Sequence, residues 1–420
     1  MSNALNRPQL RSVETLIVPD LRHGQQLVLR DTQGIAPGSA CIPPSLVPIL
    51  VRFTGELTCE EIAREASLEL GADVSTDLVM QLARELDDGL FLVGPTYRRA
   101  RAKAERGFAE ATERPASHAG GAYHANPHAL KKYLDEECLK KVPAAKLSGD
   151  LVGLVAPHID PWRGALGYGH SYGALSAQLP AAADTFILFG TSHAPMRQPF
   201  ALCKKSFLTP LGSLEADVEA LDGLAKKAAF DVYADQLNHK REHSLEFQVV
   251  FLKHLLGARK ARILPILAGL GEHQARRSDP RSDSIVEGFF EAIRELVASR
   301  PGRVVIVAGA DMAHVGPRFG DARALGDKGR EQLERADRTS LAFALERDPS
   351  AFWSDVSHDL DERRICGLAP IYALLRALPE TTGSTLLYYD QTVDEEDGAI
   401  VSHAGVGFFA GSPGLPSRRR

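Results

Sequence analysis

From residue 151 onward, six short apolar runs alternate with stretches of helical periodicity, and this alternation limits the possible folds more than any other feature. Residues 151–156, 185–189, 261–267, 304–308, 385–389 and 405–409 read as strands. Helices are expected at 167–179, 214–228, 245–256, 285–299, 326–344 and 368–377. Strands that are apolar throughout, and separated by helices, belong to a largely parallel sheet buried on both faces. The expected fold class is therefore α/β, a mostly parallel sheet flanked by helices on both faces.

Composition then removes several classes of function. Hydrophobic residues make up 44% of the 420 and charged residues 25%, enough to bury a large core. A net charge of −5 with interspersed signs excludes an electrostatic footprint for nucleic acid or an anionic membrane. There is no run of 18 apolar residues to span a bilayer. Residues 1–19 lack an apolar h-region and do not read as a signal peptide. The five cysteines are scattered without C-x-x-C spacing, which predicts a reducing compartment and a cytoplasmic protein.

Residues 1–97 read as a separate small α+β unit. Strand-like pieces at 14–19 and 26–31 precede an apolar helical stretch at 44–53. Thr58 and Glu61 have capping-box spacing. A third helix is expected at 77–87, ended by Gly89, with a strand at 90–93. This order is winged-helix-like and similar to the peptide-binding domain associated with quinone-cofactor biosynthesis. The third helix carries Asp77, Glu85, Asp87 and Asp88 against one Arg84, so a docking role is expected rather than DNA binding. Residues 98–113, with a basic run, read as a linker, 114–412 as the α/β domain and 413–420 as a disordered tail.

The chemistry-bearing residues collect at strand ends. His158 follows the first strand of the large domain, Ser192 and His193 follow the second, and Asp311 and His314 follow the run at 304–308. In open α/β sheets the ligand crevice lies beyond the carboxyl ends of the strands. One such histidine is usually an ordinary polar residue; three at equivalent positions, with a carboxylate, fit a mononuclear metal site. Cys366 directly precedes the helix at 368–377, where the helix dipole favours a thiolate, which serves as a ligand or a nucleophile. Cys203 reads as core. In Glu242-His243-Ser244-Leu245-Glu246, Ser244 reads as a helix cap, and His243 and Glu246 stand three apart. That pair suits acid–base chemistry or support of a ligand shell, and capping and packing suit it equally. Gly167–Gly173 departs from the dinucleotide-binding spacing and there is no Walker A sequence, so nucleotide binding is not expected.

Taken in order, Arg114–Tyr123, Ala156-Pro157-His158, Gly190-Thr191-Ser192-His193, Glu242–Glu246, Asp311-Met312-Ala313-His314 and Ile365-Cys366-Gly367 resemble the motifs of the Memo-like family, also called AmmeMemoRadiSam system protein B. The resemblance implies a fold similar to class III extradiol dioxygenases with a non-haem metal site. It implies His158, His193 and Cys366 as ligands of Fe(II), or alternatively copper, and Asp311 and His314 as catalytic groups beside the metal. His243, Glu246, Asp160 and Ser192 are expected around that set. A radical S-adenosylmethionine protein and an AMMECR-domain protein are the implied partners. Two functions follow as expectations: a dioxygenase-type oxidoreductase, or a metal-binding adaptor without turnover. Ile159-Asp160-Pro161-Trp162 departs from the family's small and aromatic residues after the histidine. Asp160 there either adds a carboxylate or turns the chain.

Overall fold

The computed structural model describes residues 3–20, 24–143, 147, 149–359, 362–379 and 382–410, and the tail expected at 413–420 lies outside them. It contains two compact units, one built on Met1–Ala111 with His193–Pro195 and Pro317–Ala322, the other on Thr112–Ser192, Met196–Gly316 and the described residues from Arg323 on. Among the described residues, no helix is long and apolar enough to cross a membrane.

The first unit starts with an antiparallel sheet of β1 (Glu14–Asp20), β2 (Gly24–Arg30) and β3 (Ala40–Ile42). A short helix at Val47–Leu50 follows, and then three longer ones at Cys59–Leu70, Thr76–Asp88 and Pro95–Glu110. The capping box is present: Thr58 accepts from the Glu61 amide, and the Glu61 carboxylate accepts from the Thr58 amide at 2.7 Å. Ile62, Ala66, Val79, Leu82 and Leu86 bury the facing helix stripes against Leu29, Ile42 and Phe53. Two expectations are corrected. The stretch at 90–93 forms one isolated antiparallel bridge, Leu10 to Leu92, flanked by the Arg11 amide donating to the Phe91 carbonyl at 3.0 Å and the Val93 amide to the Gln9 carbonyl at 2.8 Å. The basic run in the stretch read as a linker lies on the helix Pro95–Glu110, which starts with proline in its first turn and carries an Arg101–Glu105 pair one turn apart.

The second unit is an α/β layer structure. Its strands are β4 (Glu113–Arg114), β5 (Asp150–Ala156), β6 (Thr185–Thr191), β7 (Phe200–Leu202), β8 (Ser206–Thr209), β9 (Gly212–Ala216), β10 (Arg262–Ala268), β11 (Val304–Gly309), β12 (Asp311–Val315), β13 (Thr382–Val393) and β14 (Ile400–Ala410). They form one sheet in the order β12–β14–β5–β11–β6–β10–β9–β8–β4, with β13 on β14 and β7 on β10. The centre, β5–β11–β6–β10, is parallel, while β12, β13 and β14 add an antiparallel side.

Both faces of this centre are buried. Ile187 and Phe189, Val304 and Ile306, and Leu264 and Ile266 point into one apolar cluster with helices Val218–Lys227, Ser284–Ser299 and Leu368–Ala377. The alternate residues Phe186, Leu188, Val305 and Val307 are equally buried and point the other way. Helices Ala165–Gln178 and His243–Leu256 pack on that second face, where Tyr168 stacks on Phe251 at 4.4 Å. The helix expected at 214–228 starts later than predicted. Residues up to Ala216 belong to β9, whose Leu214 and Ala216 alternate inward, and Asp217 caps the helix Val218–Lys227. The sequence pattern also missed the short strands β7 and β8 and the helix Pro349–His358, none of which breaks the alternation around it.

Candidate metal centre

Strand register is what assembles the site. Ala156 of β5 pairs with Gly309 of β11, and Gly309 pairs with Gly190 of β6, so three parallel strands end level with one another. Two residues on from these paired positions stand His158, Asp311 and Ser192, with His193 next along the chain. Gly190 and Gly309 also let a helix come close. A Cβ on Gly309 would lie 2.1 Å from the Ser244 carbonyl oxygen, and one on Gly190 would lie 2.6 Å from Ser244 Oγ. The first turn of His243–Leu256 therefore rests directly on the ends of two strands, which carries His243 to the crevice.

His158 is the best-defined group. It is 1% exposed, and its Nδ1 lies 2.9 Å from the Gly309 carbonyl oxygen. A carbonyl only accepts, so Nδ1 carries the proton, and Nε2 of the neutral ring presents a lone pair. That Nε2 faces Cys366 Sγ at 3.1 Å and Asp311 Oδ2 at 3.7 Å. Asp311 is buried as well, and its Oδ1 accepts from the His158 amide at 2.8 Å. Ring nitrogens of His158, His193 and His243 lie within 4.8 Å of one another, and the His158 and His243 rings meet edge to face at 5.2 Å. Imidazoles converging in this way, one with its outer nitrogen fixed by a carbonyl, have the donor chemistry and the supporting bond of a transition-metal site.

The other expected site residues are distributed as follows. Cys366 precedes the helix Leu368–Ala377 by two residues, and its carbonyl accepts from Thr191 Oγ1 at 2.6 Å. His314 lies on β12, where its Nδ1 is 3.2 Å from the carbonyls of Met312 and Arg364. Asp311 and His314 thus belong to an antiparallel strand of their own, where the sequence pattern placed them just past the run at 304–308. Ser192 Oγ accepts from Asn238 Nδ2 at 3.0 Å. Asp160 bonds Arg163, its Oδ1 accepting from the Arg163 amide at 3.1 Å, which is the chain-turning role.

His243 and Glu246 do not act as a pair. Glu242, not Ser244, caps the helix, accepting from the Ser244 amide at 3.0 Å, while Ser244 Oγ donates to the Thr191 carbonyl at 2.9 Å. Glu246 sits in a buried cradle, where the His118 Nδ1 lies 3.0 Å from its Oε2. Its carboxylate pairs with Arg114 and accepts from the Ser117 amide at 3.1 Å, the His118 amide at 2.9 Å and Tyr123 Oη. Burial pushes its pKa up, but the Arg114 charge and the bonds from His118 and Tyr123 outweigh that and hold it at about 2. Arg114 also donates to the carbonyls of His239 at 3.0 Å and Glu242 at 2.9 Å. The opening motif 114–123 is thereby fastened to the helix that carries His243. Sequence reasoning missed Arg114, His118 and Tyr123 as site-building residues. The available signal was the resemblance of Arg114–Tyr123 to the family's opening motif, which marked the segment without giving its residues a role.

The fold and this crevice define an α/β protein with a histidine-rich centre at the carboxyl ends of three parallel strands. A sequence model of the family described as "Memo-like protein" matches residues 114–407, and the chain belongs to that family. It is 27% identical to a MEMO1 family protein of Aquifex aeolicus, over 92% of this chain and 97% of that one. It is 29% identical to one from Thermus thermophilus, over 79% and 93% of the two chains, and 30% identical to one from Thermococcus onnurineus, over 54% and 76%. The Aquifex alignment is long enough to reach well into the first unit. A solved structure of an uncharacterized protein from Escherichia coli K12 is similar at a TM-score of 0.33 with 13% identity, covering 62% of this chain and 100% of that one.

Proposed function

We propose that this chain holds one transition-metal ion between His158, His193 and Cys366, with His243 adjoining, and uses it in dioxygenase-type redox chemistry. The observation that carries the reading is the His158 ring: its Nδ1 is bound to the Gly309 carbonyl, so its Nε2 lone pair points at Cys366 and Asp311. Fe(II) is the ion proposed, with copper as the alternative; imidazole suits both, and thiolate adds preference for softer metals. A bound ion of this kind supplies open coordination positions for dioxygen and a chelating substrate. The chain's own residues do the rest. Gly309 fixes the His158 tautomer, Asp311 holds the His158 backbone, and His314 is oriented by two carbonyls to hold or give a proton.

The alternative is an adaptor in which the same centre binds metal without turnover. The contact between Cys366 and His158 favours it, because a thiolate in place of a carboxylate changes the redox character of the ion. A radical S-adenosylmethionine protein and an AMMECR-domain protein remain the proposed partners in either case. Titrating metal-free protein with Co(II) tests the ligand set. The wild type is expected to develop a thiolate-to-cobalt charge-transfer band that Cys366→Ala lacks. Tight Co(II) binding with no such band removes Cys366 from the set. Dioxygen uptake by the iron-loaded protein then separates the enzyme from the adaptor.

A further inference from the structure

Behind Cys366 lies a buried ionic network that the metal chemistry does not itself use. Asp337, on the helix Asp327–Leu345, is fully buried. Its Oδ1 accepts from Arg363 at 3.1 Å, and its Oδ2 accepts from Tyr389 Oη at 3.0 Å and from Ser402 Oγ. Ser402 Oγ in turn accepts from the Ala313 amide at 2.8 Å. One carboxylate thus ties together β12, β13, β14 and the segment leading to Cys366. Arg363 is further held by Asp359 at 2.7 Å and Ser340 at 3.1 Å, and its carbonyl accepts from the His314 amide at 2.7 Å. Burial pushes the Asp337 carboxyl pKa up, against the pull of Ser402 and Arg363. A buried pair of this kind is weak as a source of stability and is best attested as a device that selects one conformation.

A second observation shows what is being selected. Arg364, between Arg363 and Ile365, has φ +47°, in the left-handed region that a bulky residue avoids. Such backbone persists only where its surroundings over-determine it. Here the surroundings are Arg363 on one side, the Arg364 guanidinium donating to the carbonyls of His314 and Glu362 at 3.2 Å, and, on the other side, the Gly367 amide donating to the Asp311 carbonyl at 3.0 Å. The Arg364 carbonyl, turned by this conformation, accepts from His314 Nδ1.

We propose that the Asp337–Arg363 pair is a clamp that holds the Arg364–Gly367 segment in its strained form and so positions Cys366 against His158 and His314 beside it. These are positioning residues; they act through Cys366 and His314. The importance of the placement for a metal rests on the reading under Proposed function, but the clamp itself does not.

Hydrogen exchange read by mass spectrometry on the metal-free full chain, beside Co(II) titration, tests the clamp. In Asp337→Asn, amides in 364–367 are expected to exchange at least about tenfold faster while β5 and β6 keep their protection, since only local opening is promoted. Co(II) affinity is expected to fall about tenfold with its charge-transfer band weakened. Adding Arg364→Gly, which makes the left-handed backbone cheap, is expected to restore much of both. Unchanged exchange at 364–367, an equal rise throughout the sheet, or no rescue by Arg364→Gly would each overturn the clamp. If the exchange behaves as expected and yet the wild type takes up no Co(II), the clamp stands and the metal reading falls.

Discussion

Replacing Arg114 with alanine is expected to cost about 3–5 kcal/mol, the loss that follows when a buried charge is left without its partner. Arg114 is fully buried, and so is the Glu246 carboxylate it pairs with. The alanine variant leaves that carboxylate, and the carbonyls of His239 and Glu242, without their guanidinium. The midpoint of urea unfolding reads the loss, and a change below about 1 kcal/mol would show that the pair is far more hydrated than its burial indicates. The same pair makes stability depend on pH. Glu246 has a folded pKa held at about 2, below its ordinary 4.5. A depressed carboxyl pKa gives stability that is fully present above the ordinary value and is lost as pH falls from about 4.5 toward 2. Glu246→Gln removes that titration, so its stability is expected to change less than the wild type's across this window.

The second large effect belongs to a residue with no side chain. Gly309→Ala places a methyl group 2.1 Å from the Ser244 carbonyl oxygen and 2.8 Å from Gln248 Nε2. The first of these is backbone in the opening turn of a helix, so it cannot swing aside, and overpacking of this kind typically costs about 1–3 kcal/mol, occasionally more. The helix His243–Leu256 must lift from the strand ends, which carries His243 out of the trio and strains the bond from His158 Nδ1 to the Gly309 carbonyl. The expected result is a loss of stability together with a drop in metal affinity. Gly288→Ala, on a helix where a Cβ meets nothing within 4 Å, serves as the control and is expected to leave both intact. Tolerance of Gly309→Ala at full metal affinity would show that the strand-to-helix contact does not place the site.

Much of this arrangement was legible in the sequence because it is local. Apolar runs such as 185–189 and 304–308 announce strands, and a histidine two or three residues past a strand is already at the carboxyl edge. That the strands end level is a matter of register, which no single run encodes; Ala156, Gly309 and Gly190 come together only through sheet pairing. The same limit explains His243, which spacing alone linked to Glu246 one turn along. Packing sends the two side chains to different places, His243 to the other imidazoles and Glu246 to Arg114, 132 residues away in the chain. It also explains β12: five residues directly after β11, with one intervening glycine-adjacent alanine, give no pattern of their own and become a strand by pairing with β14. In the first unit, Thr58 and Glu61 could be paired from sequence because a capping box is complete within four residues.

The most direct test of the metal centre is elemental mass spectrometry on protein purified anaerobically without added metal, beside a His158→Ala/His193→Ala double variant. The account predicts near-stoichiometric iron or copper in the wild type and none in the variant. No metal in either protein, even after reconstitution, or equal metal in both, would contradict it.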